Sequence, residues 1–326
     1  MKDIPRRKFV KLSSLTALLS SMSLPSIASG IHSGDKNAGV SFMGDGLHLS
    51  TKEYAQLLNK LTEKNTIKED SYSLGGCVAE LEEKFASLLG KEAAIFMPTG
   101  TLANQVAIRA LCGPNDRVIV QQESHVYNDT GDASQILSNL NLIPLGFKKA
   151  SFTVEEVEEV IKRTESGRVS SRIGAISIES PVRRKLGETF DFSEMKKISE
   201  LARKNNIKMH LDGARIFFFF LYTGIKVKEY CSYFDTVYVS LYKYFNAASG
   251  AILAGPKSFI EPLFHTRRMF GSGLSQAWPF TVIANYYVDG FEERFAKSVA
   301  ISETLFTNLA KHHQFTIERI ANGTNI

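Results

Sequence analysis

Short apolar runs alternate along this chain with longer stretches whose apolar residues recur every three or four positions. The runs at 93–97, 117–121, 173–179, 207–211, 236–240 and 251–254 predict strands, and 140–145 predicts a weaker one. Val78, Leu81, Phe85, Leu88 and Leu89 fall on one helical face, which predicts a helix from Cys77 to Leu89 stopped by Gly90. Ser50 with Glu53, and Thr153 with Glu156, carry the spacing of a capping box, so helices are predicted to open there and to run to about Leu61 and to Lys162. The Pro98 to Thr101 turn leads into a helix marked by Ala103, Val106, Ala107, Ala110 and Leu111, and another is predicted over 193–205. Further on, 282–309 reads as long helices and 315–319 as the start of a strand, after which the chain stops with no closing element, as a truncated chain would.

Strands alternating with helices predict an α/β fold built on a mainly parallel sheet. In open sheets of that kind ligands bind beyond the C-terminal ends of the strands. Asp212, Lys243, the Pro98 to Thr101 turn and the loop carrying His125 all fall at such ends.

Composition changes the picture little. With 44% hydrophobic and 22% charged residues, 326 residues suffice to bury a full core. The formal charge of +5 comes mostly from Lys2, Arg6, Arg7, Lys8 and Lys11 against Asp3, and the remainder is too nearly neutral to recruit nucleic acid. Cys77, Cys112 and Cys231 lack metal-type spacing and are expected to be buried small hydrophobes, so neither a metal site nor a disulfide framework is expected. The Phe217 to Phe220 run reads as packing.

The N-terminal segment reads as an address. Pro-Arg-Arg-Lys-Phe-Val-Lys at 5–11 resembles the twin-arginine export consensus, a mildly apolar stretch follows from Leu12 to Leu24, and Ser26 and Ala28 offer the small residues a signal peptidase reads. A basic, amphipathic cytosolic N-terminus is the alternative. The apolar stretch is too short and too rich in Ser to span a membrane stably. The expected organisation is a twin-arginine signal peptide at 1–30, a linker at 31–49, a cofactor-binding large domain at 50–290 and the start of an incomplete C-terminal domain at 291–326. The expected location is the bacterial periplasm or beyond.

The candidate chemistry lies in two motifs at strand ends, His210-Leu-Asp-Gly-Ala-Arg215 and Ser240-Leu-Tyr-Lys243. Pyridoxal 5'-phosphate needs a Lys to tether it, an acid partner for its ring nitrogen, an aromatic to stack on the ring and donors for its phosphate. Lys243 is the candidate tether, its amine desolvated by Tyr242, Tyr244 and Phe245. Asp212 is the candidate ring-nitrogen partner and His125 the stacking residue, while Thr99, Gly100 and Thr101 form a phosphate seat at a helix N-terminus. Taken singly, each has a plain structural explanation: a surface Lys, a turn Asp, a satisfied His, an ordinary N-cap. Their order as a group lifts the reading.

Five stretches, 75–84, 90–104, 210–215, 240–243 and 267–273, together resemble the threonine aldolase and β-eliminating lyase family of fold type I pyridoxal phosphate enzymes, and the likeness runs from about Phe42 to the end. The resemblance implies retro-aldol cleavage of a threonine-like β-hydroxy amino acid to glycine and an aldehyde. A different lyase reaction, a racemase, an aminotransferase or a non-catalytic relative would share the same site. By family position His125 stacks on the cofactor and assists the base, and Arg215 anchors the cofactor's phenolic oxygen or the substrate carboxylate. Arg268 would reach the phosphate across the interface of a homodimer or homotetramer with shared sites.

The chain departs from the family pattern in five respects. Tyr244-Phe-Asn246 replaces Gly-Leu-Gly after the Lys, which predicts an altered loop. Gly44 precedes Asp45 where a carboxylate-binding Ser would lie. Val182 replaces a His after the middle strand, and Ser275 replaces an Arg. The C-terminal domain that in the family supplies an Arg to the substrate carboxylate is expected to be missing after Ile326.

Overall fold

The protein is described here by a computed structural model covering residues 44–63, 66–169 and 171–324. The expected signal peptide and most of the linker lie outside the described residues. Seven strands, β1 Ala93–Met97, β2 Arg117–Gln121, β3 Asn141–Leu145, β4 Ile173–Glu179, β5 Lys208–Asp212, β6 Thr236–Ser240 and β7 Ala251–Gly255, form a sheet in the order β1-β7-β6-β5-β4-β2-β3. Strands β2 to β6 pair in parallel and β7 runs antiparallel to both neighbours. The mainly parallel α/β class expected from the alternation is the observed one.

The helices of eight or more residues are α1 Thr51–Thr62, α2 Gly76–Leu89, α3 Gly100–Cys112, α4 Val154–Glu165, α5 Phe192–Lys204, α6 Ile216–Thr223, α7 Trp278–Val288 and α8 Phe291–Leu309. Every residue of β4, β6 and β7 is buried, because helices cover both faces, and so these strands read as unbroken apolar runs. Helix α3 lies across the sheet: Ala103, Val106 and Ala107 pack on Ile95, Met97, Tyr238, Ala251 and Leu253. Its alanines let the backbone approach the strands closely. On the free edge of β1, Glu82 accepts the Phe96 N–H and Arg267 donates to the Phe96 carbonyl, so side chains occupy groups that would otherwise invite another strand.

Both predicted capping boxes form, and Gly90 ends α2 in the left-handed region at φ 66. Phe217, Phe218 and Phe219 are buried, and the first two join Phe85, Tyr244, Phe245 and Phe291 in an aromatic cluster that seats α8. All three cysteines are buried and free. Two expectations change. Residues 315–319 form no strand, since a strand needs a partner and Arg319 instead holds this segment to Glu303 of α8 through two hydrogen bonds. Strand β5 extends to Asp212 itself, one residue beyond the predicted end. Among the described residues no helix is long and apolar enough to cross a membrane, and no cluster of metal-ligating side chains occurs.

Candidate active site

Side chains alternate along a strand, so His210 and Asp212 of β5 face the same side of the sheet. Their register partners on β6 are Thr236 and Tyr238. Helix α3 crosses that face and lowers Asn104 between them. The Asn104 amide nitrogen donates to Asp212 Oδ2 at 2.7 Å, and its carbonyl oxygen lies 2.9 Å from His210 Nε2. His210 Nδ1 lies 2.8 Å from the Thr236 hydroxyl, and the Ala214 N–H donates to Asp212 Oδ1 at 3.2 Å. None of Asn104, His210, Asp212 and Thr236 is more than 2% exposed. Burial pulls the His210 ring down to about 4, against the opposing pull of the Asp212 charge. One helical turn before Asn104, Gly100 meets the Tyr238 phenol so closely that a Cβ would lie 1.8 Å from its oxygen. Only glycine permits that approach.

The neighbouring strand end is open by comparison. Ser240, the last residue of β6, is fully buried, and its hydroxyl makes no hydrogen bond among the described residues. Lys243 follows, half-buried, with Nζ 3.1 Å from the Tyr242 hydroxyl and 4.5 Å from the centre of that ring. The expected aromatic surround of the amine is reduced to Tyr242, itself half exposed, because Tyr244 and Phe245 turn into the aromatic cluster. The loop keeps a left-handed residue despite losing its glycines: Asn246 adopts φ 54, a conformation Asn tolerates better than other side chains, and Tyr244 needs no positive φ.

At the start of α3, the Thr99 hydroxyl accepts the Leu102 N–H at 3.2 Å, an N-cap. The N–H groups of Gly100 and Thr101 find no acceptor among the described residues, so this helix end keeps donors for an anion. Segment 44–48 closes over the Lys243 loop. Arg215 grips Asp45 through Nε and Nη2, each at 2.9 Å, and the Asn246 side-chain oxygen accepts the Leu47 N–H at 2.7 Å. Gly46 fits against this loop because a Cβ there would meet Asn246 Oδ1 at 2.4 Å and the Lys243 carbonyl at 2.6 Å. Arg215 thereby retains Nη1 for any other acceptor.

Glu179, at the end of β4, accepts the backbone N–H of His125 at 2.6 Å and of Arg183 at 2.9 Å. Burial pushes its carboxyl up to about 7, and the Asp212 charge pushes the same way. The His125 ring is partly exposed, with Nδ1 3.5 Å from Asp129, whose other partners are Arg183 and Arg184. Val182 is buried, so the position of the absent family His is apolar. Arg268 stays outside this constellation: it is exposed and lies over the Tyr72 ring at 4.9 Å, while its neighbour Arg267 is the buried one.

The fold thus gathers Asp212, Lys243 and the Thr99 to Thr101 turn at the same end of the sheet, that of the C-termini of β1, β5 and β6, with the His125 backbone held by Glu179 of β4. Sequence reasoning missed Asn104, Thr236, Glu179 and the unpartnered Ser240 hydroxyl. The alternation of β5 and the one-turn spacing of Gly100 and Asn104 are the signals that point to them.

A mainly parallel sheet with a buried carboxylate and a lysine at adjacent strand ends is the architecture of the fold type I pyridoxal phosphate enzymes. The family model described as Beta-eliminating lyase matches residues 51–325, and the chain belongs to that family. A low-specificity L-threonine aldolase of Candida albicans is 32% identical over 69% of this chain and 60% of its own length. An alanine racemase of Cochliobolus carbonum is 30% identical over 68% of this chain and 56% of its own. A crystal structure of a putative L-allo-threonine aldolase from Listeria monocytogenes superimposes with a TM-score of 0.69 at 29% identity, covering 79% of this chain and 71% of that one. The chain spans about 60% of the length of the curated relatives it matches.

Proposed function

We propose that the protein is a pyridoxal phosphate-dependent aldolase that cleaves a threonine-like β-hydroxy amino acid to glycine and an aldehyde. The observation that carries this reading is the pairing of a buried, hydrogen-bonded Asp212 with Lys243 on the next strand end, above a helix N-terminus with free donors. The residues present fit the cofactor. The orphaned Ser240 hydroxyl and the Gly100 and Thr101 N–H groups are a donor set suited to a phosphate, and Asp212 presents a carboxylate to a ring nitrogen.

When bound, the cofactor supplies an electron sink beside the substrate's α-carbon. Lys243 Nζ would tether it, and Asp212 would hold a proton on its ring nitrogen. The Thr99 and Thr101 hydroxyls would join Ser240 in holding the phosphate. Arg215, steadied by Asp45, offers Nη1 to the phenolic oxygen or the substrate carboxylate. Asp129 orients the His125 ring through Nδ1, leaving Nε2 to take the β-hydroxyl proton. Arg268, exposed on its own chain, reaches the phosphate of a second copy in a homodimer or homotetramer. The N-terminal segment directs export to the periplasm by the twin-arginine route.

The alanine racemase relative favours a second reading in which the same groups move a proton at the α-carbon. Product analysis separates the two: glycine with an aldehyde supports the aldolase, alanine racemisation supports the alternative, and pyruvate with ammonia rejects both. An absorption spectrum tests the tether. A visible cofactor band that persists in Lys243→Ala, resistant to dialysis, overturns the role of that lysine.

A further inference from the structure

The hydrogen bonds below Asp212 have a direction that the donor inventory fixes. Both Asp212 oxygens accept, one from Asn104 and one from Ala214. Asn104 must therefore turn its NH2 group to the carboxylate, because its carbonyl there would face another acceptor. That leaves the Asn104 oxygen facing His210 Nε2, so this nitrogen carries the hydrogen. The ring is buried away from water and stays neutral, hence Nδ1 is bare and accepts from the Thr236 hydroxyl. Thr236, His210 and Asn104 then form three donors in series, each pointing toward Asp212 and polarising the next.

We propose that His210 is a positioning residue of the active site: as the neutral tautomer protonated on Nε2, it holds the Asn104 amide on Asp212 and so fixes the carboxylate that meets the cofactor's ring nitrogen. This rests on the pyridoxal phosphate reading above. Mere packing does not account for it, since an apolar residue would fill the space while leaving the Asn104 oxygen buried without a donor. The charged groups around the relay are Asp212 on the same strand and, beyond it, Glu179 of β4 and Arg215. None of them donates to Nδ1, so the tautomer is set by Asn104 and Thr236 alone.

The test uses the full chain. Long-range proton–nitrogen NMR on histidine-labelled protein, assigned by His210→Gln, is expected to show one ring protonated at Nε2, bare at Nδ1 and neutral between about pH 5 and 8. A ring protonated at Nδ1, or at both nitrogens, overturns the proposal whatever the cofactor affinities of the variants. In parallel, pyridoxal phosphate affinity is read from the visible band. His210→Leu is expected to weaken it about tenfold or more, because the Asn104 amide loses the partner that holds it aligned on the Asp212 carboxylate. His210→Gln, whose amide can again donate to Asn104, should restore it to within about threefold. Equal affinity in the wild type and His210→Leu, or no rescue by Gln, sinks the positioning role. If the wild type itself binds no cofactor, the underlying reading fails first, and the NMR result then reports only on the fold.

Discussion

Two adjacent strand ends in this protein are finished to different degrees. At the end of β5 the polar side-chain groups of Asp212, Asn104, His210 and Thr236 are paired with one another and sealed from solvent. At the end of β6, Ser240 has no partner, Lys243 is half-buried against one exposed ring, and Asn246 carries the turn. The difference teaches which half of the site the protein completes by itself. A carboxylate must be desolvated and aimed before a ligand arrives, and only protein donors can do that. A lysine that forms and breaks a covalent tether must stay free to move.

The largest expected effect sharpens this contrast. Lys243→Ala should lower aldolase turnover by about a thousandfold or more, as removal of a covalent catalyst does, yet leave stability within about 0.5 kcal/mol, because the side chain is only half-buried. Asp212→Ala should also abolish turnover but cost on the order of 2 kcal/mol, since it strands the buried Asn104 amide. Glycine release and urea melts measure both, and equal stabilities for the two variants would break the comparison.

The next effect is a dependence on pH. His210 titrates near 4 in the folded chain and, as a free imidazole, near 6.5 when unfolded. A depressed folded value means that the stabilisation is fully present above about 6.5 and lost as pH falls toward 4, an amount on the order of 3 kcal/mol. Urea melts at pH 7 and pH 4 should therefore differ less in His210→Gln than in the wild type. An unchanged difference would mean that the ring is protonated inside the fold.

The smallest effect lies in the Lys243 loop. Asn246→Ala loses the bond to the Leu47 N–H and places a less tolerant side chain at φ 54, for a cost of about 1 to 2 kcal/mol. Asn246→Gly loses the bond but relaxes the backbone, so it should cost less. Thermal melts of the two decide it, and a loss in the glycine variant as large as in the alanine variant would show that the left-handed turn adds nothing to the bond that both variants lose.

Much of this was legible in the chain. Capping boxes at Ser50 and Thr153, the helical face from Val78 to Leu89 and the buried strands all formed where local pattern placed them. Lys243 and Asp212 could be assigned to neighbouring strand ends for the same reason. The partners of Asp212 were not legible as such, because Asn104 lies 108 positions away and nothing local distinguishes it from any other helical Asn. The aromatic neighbours of Lys243 misled for a related reason: adjacency in sequence placed Tyr244 and Phe245 near the amine, whereas burying them with Phe217 and Phe291 turned them away.

By itself, then, the sequence determined the alternation of strands and helices, the ends at which chemistry gathers and the residue types gathered there. These follow from periodicity and local hydrogen bonding, which act over a few residues. Only the tertiary structure decided which side chains complete one another: Asn104 and Thr236 with His210, Asp45 with Arg215, Glu179 with the His125 loop. A buried polar group must find its partner wherever the packed chain brings one, and that search is settled by the fold as a whole.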